Sequence, residues 1–365
     1  MRILHVAAFP FPTPQGSQVY VRGILRALAR RGHEASLLCY GYGQDLPDEG
    51  YMVHRIPNLG NYRKYRAGPD LTKPILDLML ALRLRKLSAD VIHVHNYEAP
   101  LVAMLAHAFR DIPMVYSAHN TMSEELPTYY RSKAARTAAG VLGTVLDRTI
   151  PQRADVAIAI RPKSKKILSD LGCRRVECVP PGIDEAEISV ALPVNLPPGP
   201  WVIYTGNPDG YQDLPVLFEA MKLLPKVGLL MVSASDLEHL HKLHLPKLKT
   251  VRTNDFQQVR RYLSSAQIAV LPRSVCSGFP MKILNYLGMG LPTVVAQGSN
   301  VGFDGCVEFK NGCHQDLASK IQSLLDSPQK LEKMSQKACS GIREKSLWNV
   351  RVLELERIYQ SLLKD

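Results

Sequence analysis

No stretch of this chain is apolar enough to read as a membrane-crossing helix: the most apolar long one, residues 71–84, is interrupted by Lys73, Pro74, Asp77 and Arg83. The seven cysteines form no Cys-x-x-Cys pair, and an odd count points to reduced thiols in a cytoplasmic protein rather than to a disulfide framework. A Gly-x-Gly-x-x-Gly turn is absent, which argues against a nicotinamide-linked dehydrogenase. An Asp-x-Asp pair is also absent, so no obvious clamp for Mg²⁺ or Mn²⁺ exists and no metal is expected. Internal repeats and low-complexity tracts are missing too. The N-terminal apolar run is broken by His5 and then by prolines, which suits a buried first strand better than a secretory signal.

What remains is a globular composition, with 46% apolar and 21% charged residues over 365 positions, too long for one ordinary hydrophobic core. The net charge of +12 is uneven. Residues 1–180 hold 25 Lys/Arg against 15 Asp/Glu, and the remainder holds 20 against 18. A basic first half suggests an anionic partner, such as a membrane surface or a phosphorylated acceptor. Nucleic acid is disfavoured because no aromatic-interleaved motif accompanies the charge.

Short β-branched runs alternate with amphipathic helical stretches, the pattern of an α/β protein with a parallel sheet covered on both faces. Expected strands begin with 3–7, 35–39, 53–56, 91–95, 114–117, 156–160 and 176–179. Residues 180–200 hold six prolines and two glycines and read as a linker. A second series follows, with strands at 202–205, 228–232, 250–252, 268–271 and 293–296. The expected organisation is a first Rossmann-like domain at 1–180, a linker at 181–200, a second Rossmann-like domain at 201–345 and a closing helix at 346–365. Open parallel sheets bind ligands outside the carboxyl ends of their strands.

Two strand-to-helix turns have the character of anion sites. After the first strand, Gly16 and Ser17 lead into a helix expected from Val19, whose free N–H groups would face an anion. After the strand at 268–271, Gly278 turns the chain and Pro280 suits a first helical position. On that helix Ile283, Leu284 and Leu287 share one arc, while Lys282, Asn285, Tyr286 and Met289 lie on the other.

These landmarks resemble the retaining GT-B glycosyltransferases of family 4, also called glycosyl transferases group 1. The resemblance runs from Arg2-Ile-Leu-His-Val through Gly16, Gly32-His33, Asp90-Val-Ile-His-Val-His95, Tyr116-Ser-Ala-His119-Asn120, Val179-Pro-Pro-Gly-Ile-Asp184 and Tyr204-Thr-Gly206. It ends with Gly278-Phe-Pro-Met-Lys-Ile-Leu-Asn-Tyr-Leu-Gly-Met-Gly-Leu-Pro292 and the helix after Trp348. It implies two facing Rossmann-like domains with a cleft between them and a C-terminal helix packing back. The implied activity is transfer of a sugar from a nucleotide-sugar donor to a glycan, lipid-linked or small-molecule acceptor, with retention and without a metal or other cofactor. Cell-surface polysaccharide or glycolipid biosynthesis is the implied setting, in the cytoplasm or peripherally on the inner face of the membrane.

The resemblance places donor contacts at Gly16, Ser17, Gly206, Asn207, Ser277, Gly278, Phe279, Pro280, Met281 and Asn285. It departs from the family where two glutamates usually flank the second turn, since Ser277 and Asn285 occupy those places. The cations that usually contact the diphosphate fall on Asn207 and Gln212. Arg273 and Lys282 are the expected replacements, and His119 is the histidine expected beside the reacting sugar. His95, with the basic Arg63 and Lys64, is assigned to the acceptor, while His93 reads as a core histidine. His241 and His244 have a metal-like spacing but lie away from the strand ends. The four neutral replacements keep open the alternative of an inactive GT-B pseudo-enzyme that binds a ligand or partner, and a second alternative is another GT-B-like catalyst such as a nucleotide-sugar epimerase.

Overall fold

A computed structural model describes residues 1–13, 15–43, 47–59, 70–106, 112–274 and 278–363. By contact clustering the chain forms two compact units. The first comprises Met1–Gly182, Ser277–Phe279 and Trp348–Asp365; the second comprises Ile183–Cys276 and Pro280–Leu347.

Among the described residues, the first unit is built on seven strands: β1 (Arg2–Ala7), β2 (Glu34–Cys39), β3 (Met52–Arg55), β4 (Val91–His95), β5 (Met114–Ala118), β6 (Val156–Ala159) and β7 (Val176–Cys178). All pair parallel in the order β3-β2-β1-β4-β5-β6-β7. Crossovers carry α1 (Gly16–Arg30), α2 (Lys73–Leu84), α3 (Glu98–Ala106), the single turn α4 (Met122–Glu125), α5 (Lys133–Thr149) and α6 (Pro162–Asp170). Strands covered on both faces are buried throughout, as β4 and β6 are at every position, so the two histidines of β4 must find their partners inside the fold.

The second unit repeats the plan with β8 (Trp201–Thr205), β9 (Gly228–Ser233), β10 (Leu248–Arg252), β11 (Ile268–Leu271), β12 (Thr293–Ala296) and β13 (Cys306–Phe309), in the order β10-β9-β8-β11-β12-β13. Its helices are α7 (Leu214–Lys222), α8 (Phe256–Leu263), α9 (Lys282–Gly288), α10 (His314–Leu325) and α11 (Pro328–Lys345). Strand β13, absent from the expectation, forms the sheet edge beside β12.

In both sheets the order reverses between the first and fourth strands, β1/β4 and β8/β11, and crevices for ligands open outside the carboxyl ends at such switch points. The last helix, α12 (Trp348–Leu362), belongs to the first unit. Its Trp348 enters a space left by two glycines, where a Cβ on Gly23 or Gly182 would lie 2.2 Å or 2.7 Å from the indole. Glu356 fastens the same helix, with its Oε1 accepting from Arg31 Nε at 2.5 Å and pairing with His33 Nε2 at 2.7 Å.

Candidate active site

At the β8/β11 switch point the chain leaves β8 through Gly206, whose φ of +108° suits glycine. Lys282 lies across this turn, its Nζ 2.8 Å from where a Cβ on Gly206 would stand. It donates to the Tyr204 hydroxyl at 3.1 Å and sits 4.2 Å above the ring of that tyrosine. Burial, and then the neighbouring Arg273, push the Lys282 ammonium down to about 7, while Asp209 opposes the shift. Arg273 follows β11 and stacks its guanidinium 4.9 Å from the Tyr211 ring centroid. Two cations therefore share one strand-end corner.

The remaining donor-contact candidates of this unit surround that corner. The Asn207 carbonyl accepts from Tyr204 Oη at 3.0 Å, and its Oδ1 accepts from Ser233 Oγ and Ser235 Oγ at 3.3 and 3.1 Å. Asn285 Oδ1 is buried with no hydrogen-bond partner. Tyr286, expected on the polar face of its helix, is instead fully buried, and its hydroxyl accepts from the Thr205 amide at 2.8 Å. That bond ties α9 to β8, so the tyrosine positions the turn. Pro280 is not the first helical residue. Its carbonyl accepts from Ile283 N at 2.9 Å and that of Met281 from Leu284 N at 3.1 Å, a tighter entry turn that delays α9 to Lys282. Ser277 lies outside the described residues, and Gly278 and Phe279 count with the first unit.

In the first unit, α1 starts at Gly16 rather than Val19, so Gly16 and Ser17 are its first two residues. The first intrahelical bond runs from Val19 N to Gln15 O at 3.0 Å, which leaves the amides of Gly16, Ser17 and Gln18 without an intrahelical partner. Beside them, Thr13 Oγ1 and Gln18 Oε1 are buried without partners.

Deeper at the β1/β4 switch point lies a histidine cluster. Successive strand residues alternate faces, so His5 on β1, His93 and His95 on β4, and Ser117 and His119 on and after β5 line one face of the sheet. His119 Nε2 meets His95 Nδ1 at 3.1 Å, and His95 Nε2 meets His5 Nδ1 at 2.9 Å. His93 is held between Tyr359 Oη and Ser117 Oγ, each at 2.7 Å. Burial lowers the pKa of all four histidines, with His5 and His119 at about 3, so the rings are neutral at ordinary pH. The Tyr20 ring stands edge-on against His119 at 5.0 Å. Ligand atoms of His5, His93 and His95 lie within 4.8 Å of one another, a spacing compatible with a metal ion. Their rings nonetheless stack, at interplanar angles of 10° and 28° against His95, instead of converging on one point.

Buried Asp147 secures the segment after His119. It accepts from the amides of Met122 and Ser123 at 2.8 and 2.9 Å and from the Tyr97 hydroxyl. Arg63 and Lys64 fall outside the described residues. His241 bonds Thr250 Oγ1 at 3.0 Å from a 3₁₀ turn, not an α-helix, and His244 follows it in a left-handed conformation.

Two family models match this chain: Glycosyltransferase Family 4 over residues 14–187 and Glycosyl transferases group 1 over residues 199–327. The chain belongs to the group 1, family 4 glycosyltransferases. It is similar to the phosphatidyl-myo-inositol mannosyltransferase of Mycolicibacterium smegmatis, 27% identical over 253 residues that cover 66% of this chain and 61% of that protein. The namesake from Propionibacterium freudenreichii is 21% identical over 81% of this chain and 77% of its own length. The match thus spans about three-fifths of the length of the mycobacterial relative. Among solved structures, sucrose-phosphate synthase of Thermosynechococcus elongatus covers 100% of both chains with a TM-score of 0.83 at 16% identity. Anabaena HepE, in complex with UDP and glucose, covers 99% of this chain and 100% of its own with a TM-score of 0.72 at 16% identity. These likenesses bear out the expected fold class, two parallel α/β sheets of the GT-B kind.

Sequence reasoning gave no role to His5, Asp147 or Tyr204 and put Tyr286 on the wrong face of its helix. The signal for His5 was available, since a histidine in the middle of an otherwise apolar buried strand needs a partner. Asp147 gave none, because its partners are backbone amides 24 and 25 residues away.

Proposed function

We propose that this protein transfers a sugar from a nucleotide-sugar donor to a glycan, lipid-linked or small-molecule acceptor, with retention of anomeric configuration and without a divalent metal. Lys282 is the observation that carries this reading. A partly buried ammonium hydrogen-bonded to a hydroxyl, with no ion-paired carboxylate among the described residues and Arg273 nearby, favours a ligand of high negative charge. A nucleoside diphosphate supplies that charge, and it gains more as it leaves the sugar. Preorganised cations aimed at developing charge lower the barrier to that departure. Arg273 and Lys282 would do here what a divalent ion does elsewhere. The orphaned Asn285 Oδ1 is an acceptor left over for a ribose hydroxyl, and His119 is assigned the reacting sugar. HepE, of the same fold, is described with UDP and glucose.

A lipid-linked acceptor, in glycolipid or cell-surface polysaccharide assembly, has support from the surface of the first unit. Helix α2 exposes Ile75, Leu78 and Leu82 along one stripe, and its neighbour α3 exposes Leu101, Met104 and Leu105. Arg83, Arg85 and Lys86 border the stripe, the combination that draws a surface helix to anionic lipid.

The test is incubation with a panel of nucleotide sugars, with and without chelator, reading release of the nucleoside diphosphate. Slow hydrolysis of one donor is expected, unaffected by chelator and lost in Arg273→Ala and Lys282→Ala. Absence of turnover across the panel would leave a binding protein rather than an enzyme.

A further inference from the structure

His119 does not act as an isolated ring. Its Nε2 is taken by His95, whose other nitrogen is taken by His5, so three imidazoles form one hydrogen-bonded row across β1, β4 and the end of β5. A neutral imidazole carries one proton and one lone pair, so each nitrogen–nitrogen contact must pair a donor with an acceptor. The row therefore has only two arrangements. In one, Nδ1–H of His5 donates to His95, Nδ1–H of His95 donates to His119, and His119 carries its own proton on Nδ1. In the other all three protons sit on Nε2, and His119 offers a bare Nδ1 lone pair.

The far end of the row decides between them. His5 Nε2 is buried and has no hydrogen-bond partner. The second arrangement would strand an N–H there, whereas the first strands only a lone pair. Orphaned buried N–H groups are the rarer and costlier fault. At the near end, His119 keeps 3% exposure and its Nδ1 has no partner among the described residues, so that atom is the one offered to a ligand.

We infer that His5 and His95 are positioning residues that fix the proton of His119 on Nδ1, making His119 a hydrogen-bond donor to the substrate instead of a general base. Its use in catalysis rests on the reading of function given above; the proton arrangement does not. The donor would serve a sugar hydroxyl away from the anomeric carbon, whose lone pair an N–H can hold in place without opposing the positive charge that spreads over the anomeric carbon and ring oxygen. The same residue is prevented from drawing a proton from water, which would favour hydrolysis over transfer.

Long-range ¹H–¹⁵N spectra of protein labelled with ¹⁵N-histidine read the tautomer of each ring directly and need no substrate. The expected result in the wild type is Nδ1–H at His5, His95 and His119. An Nε2–H signal at His119 overturns the inference whatever the enzyme does. His5→Leu removes the donor at the end of the row, and His5→Asn restores one, because the asparagine amide nitrogen stands where Nδ1 stood. In His5→Leu the His119 signal should move toward Nε2–H or a mixture and kcat should fall roughly tenfold, the scale seen when a partner that orients a functional imidazole is removed. His5→Asn should keep both near wild type. A fixed Nδ1–H at His119 in folded His5→Leu overturns the role of His5. Should the variant fail to fold, the wild-type spectrum alone still decides the direction of the row. The expected tautomers with no turnover of any sugar nucleotide would uphold the relay and remove the enzymatic reading.

Discussion

Gly23 and Trp348, one on the first helix and one on the last, occupy a single space: a Cβ added to Gly23 would stand 2.2 Å from the indole nitrogen. No side-chain rotation of a methyl can relieve that overlap, because the ring is also backed by Gly182. Gly23→Ala should therefore destabilise the protein by about 1–3 kcal/mol, the usual cost of overpacking. Trp348→Ala, which empties the space, should cost about 3–5 kcal/mol. Urea unfolding checks both, and an unchanged midpoint in Gly23→Ala would mean that α12 is not seated as described.

Lys282 makes donor binding depend on pH. With its pKa lowered to about 7, the ammonium of the free protein is charged below that value and neutral above it. Affinity for a nucleoside diphosphate should fall as pH rises through 7, and binding at pH 7.5 should take up protons. Calorimetry in buffers of different ionisation enthalpy reads the uptake. Lys282→Arg, whose guanidinium stays protonated, should bind with little pH dependence over the same range.

Acid should unfold the first unit through its neutral histidines. Because the folded pKa values lie below the unfolded value, stability is complete above about pH 6.5 and declines as pH falls through 6.5 toward about 3 for His5 and His119. Each such histidine removes up to about 1.4 kcal/mol per pH unit in that window. Urea midpoints at pH 7.5 and 5.5 measure the loss. Equal stability at the two values would require histidines that are already charged in the native protein.

The apolar stripe of α2 predicts the last measurement. Leu78→Glu and Leu82→Glu should sharply reduce sedimentation with anionic vesicles at low salt, while leaving the melting temperature within a few degrees because both side chains are exposed. Wild-type protein that stays in the supernatant at low salt would remove the membrane from the account.

Much of this was readable from residue order. Strands buried on both faces announce themselves as apolar runs, which is why β8 and β9 fell close to where expected. Strand β13 did not, since Cys306-Val-Glu-Phe309 is a four-residue edge strand interrupted by the exposed Glu308. At the candidate site, Lys282 and Arg273 were legible because a cation beside a strand-end turn has few structural uses. Tyr286 was misplaced because helical periodicity assigns a face by residue polarity, and the tyrosine buries its ring while using its hydroxyl on the Thr205 amide. The direction of the histidine row was not legible at all, being a property of three strands at once.

The contact of Gly182 with Trp348 also describes how the chain is threaded. The polypeptide departs from the first unit at one of these residues and re-enters at the other, and Ile183 N bonds Ser346 O at 2.8 Å just beyond. Apart from Ser277–Phe279, which count with the first unit, everything from 183 to 347 is an insertion between these two residues. A protease cut within it should leave the terminal helix attached by its own packing, and a direct splice from Gly182 to Trp348 should yield a shorter chain that keeps all seven strands and the last helix while losing only Ser277–Phe279 from the first unit.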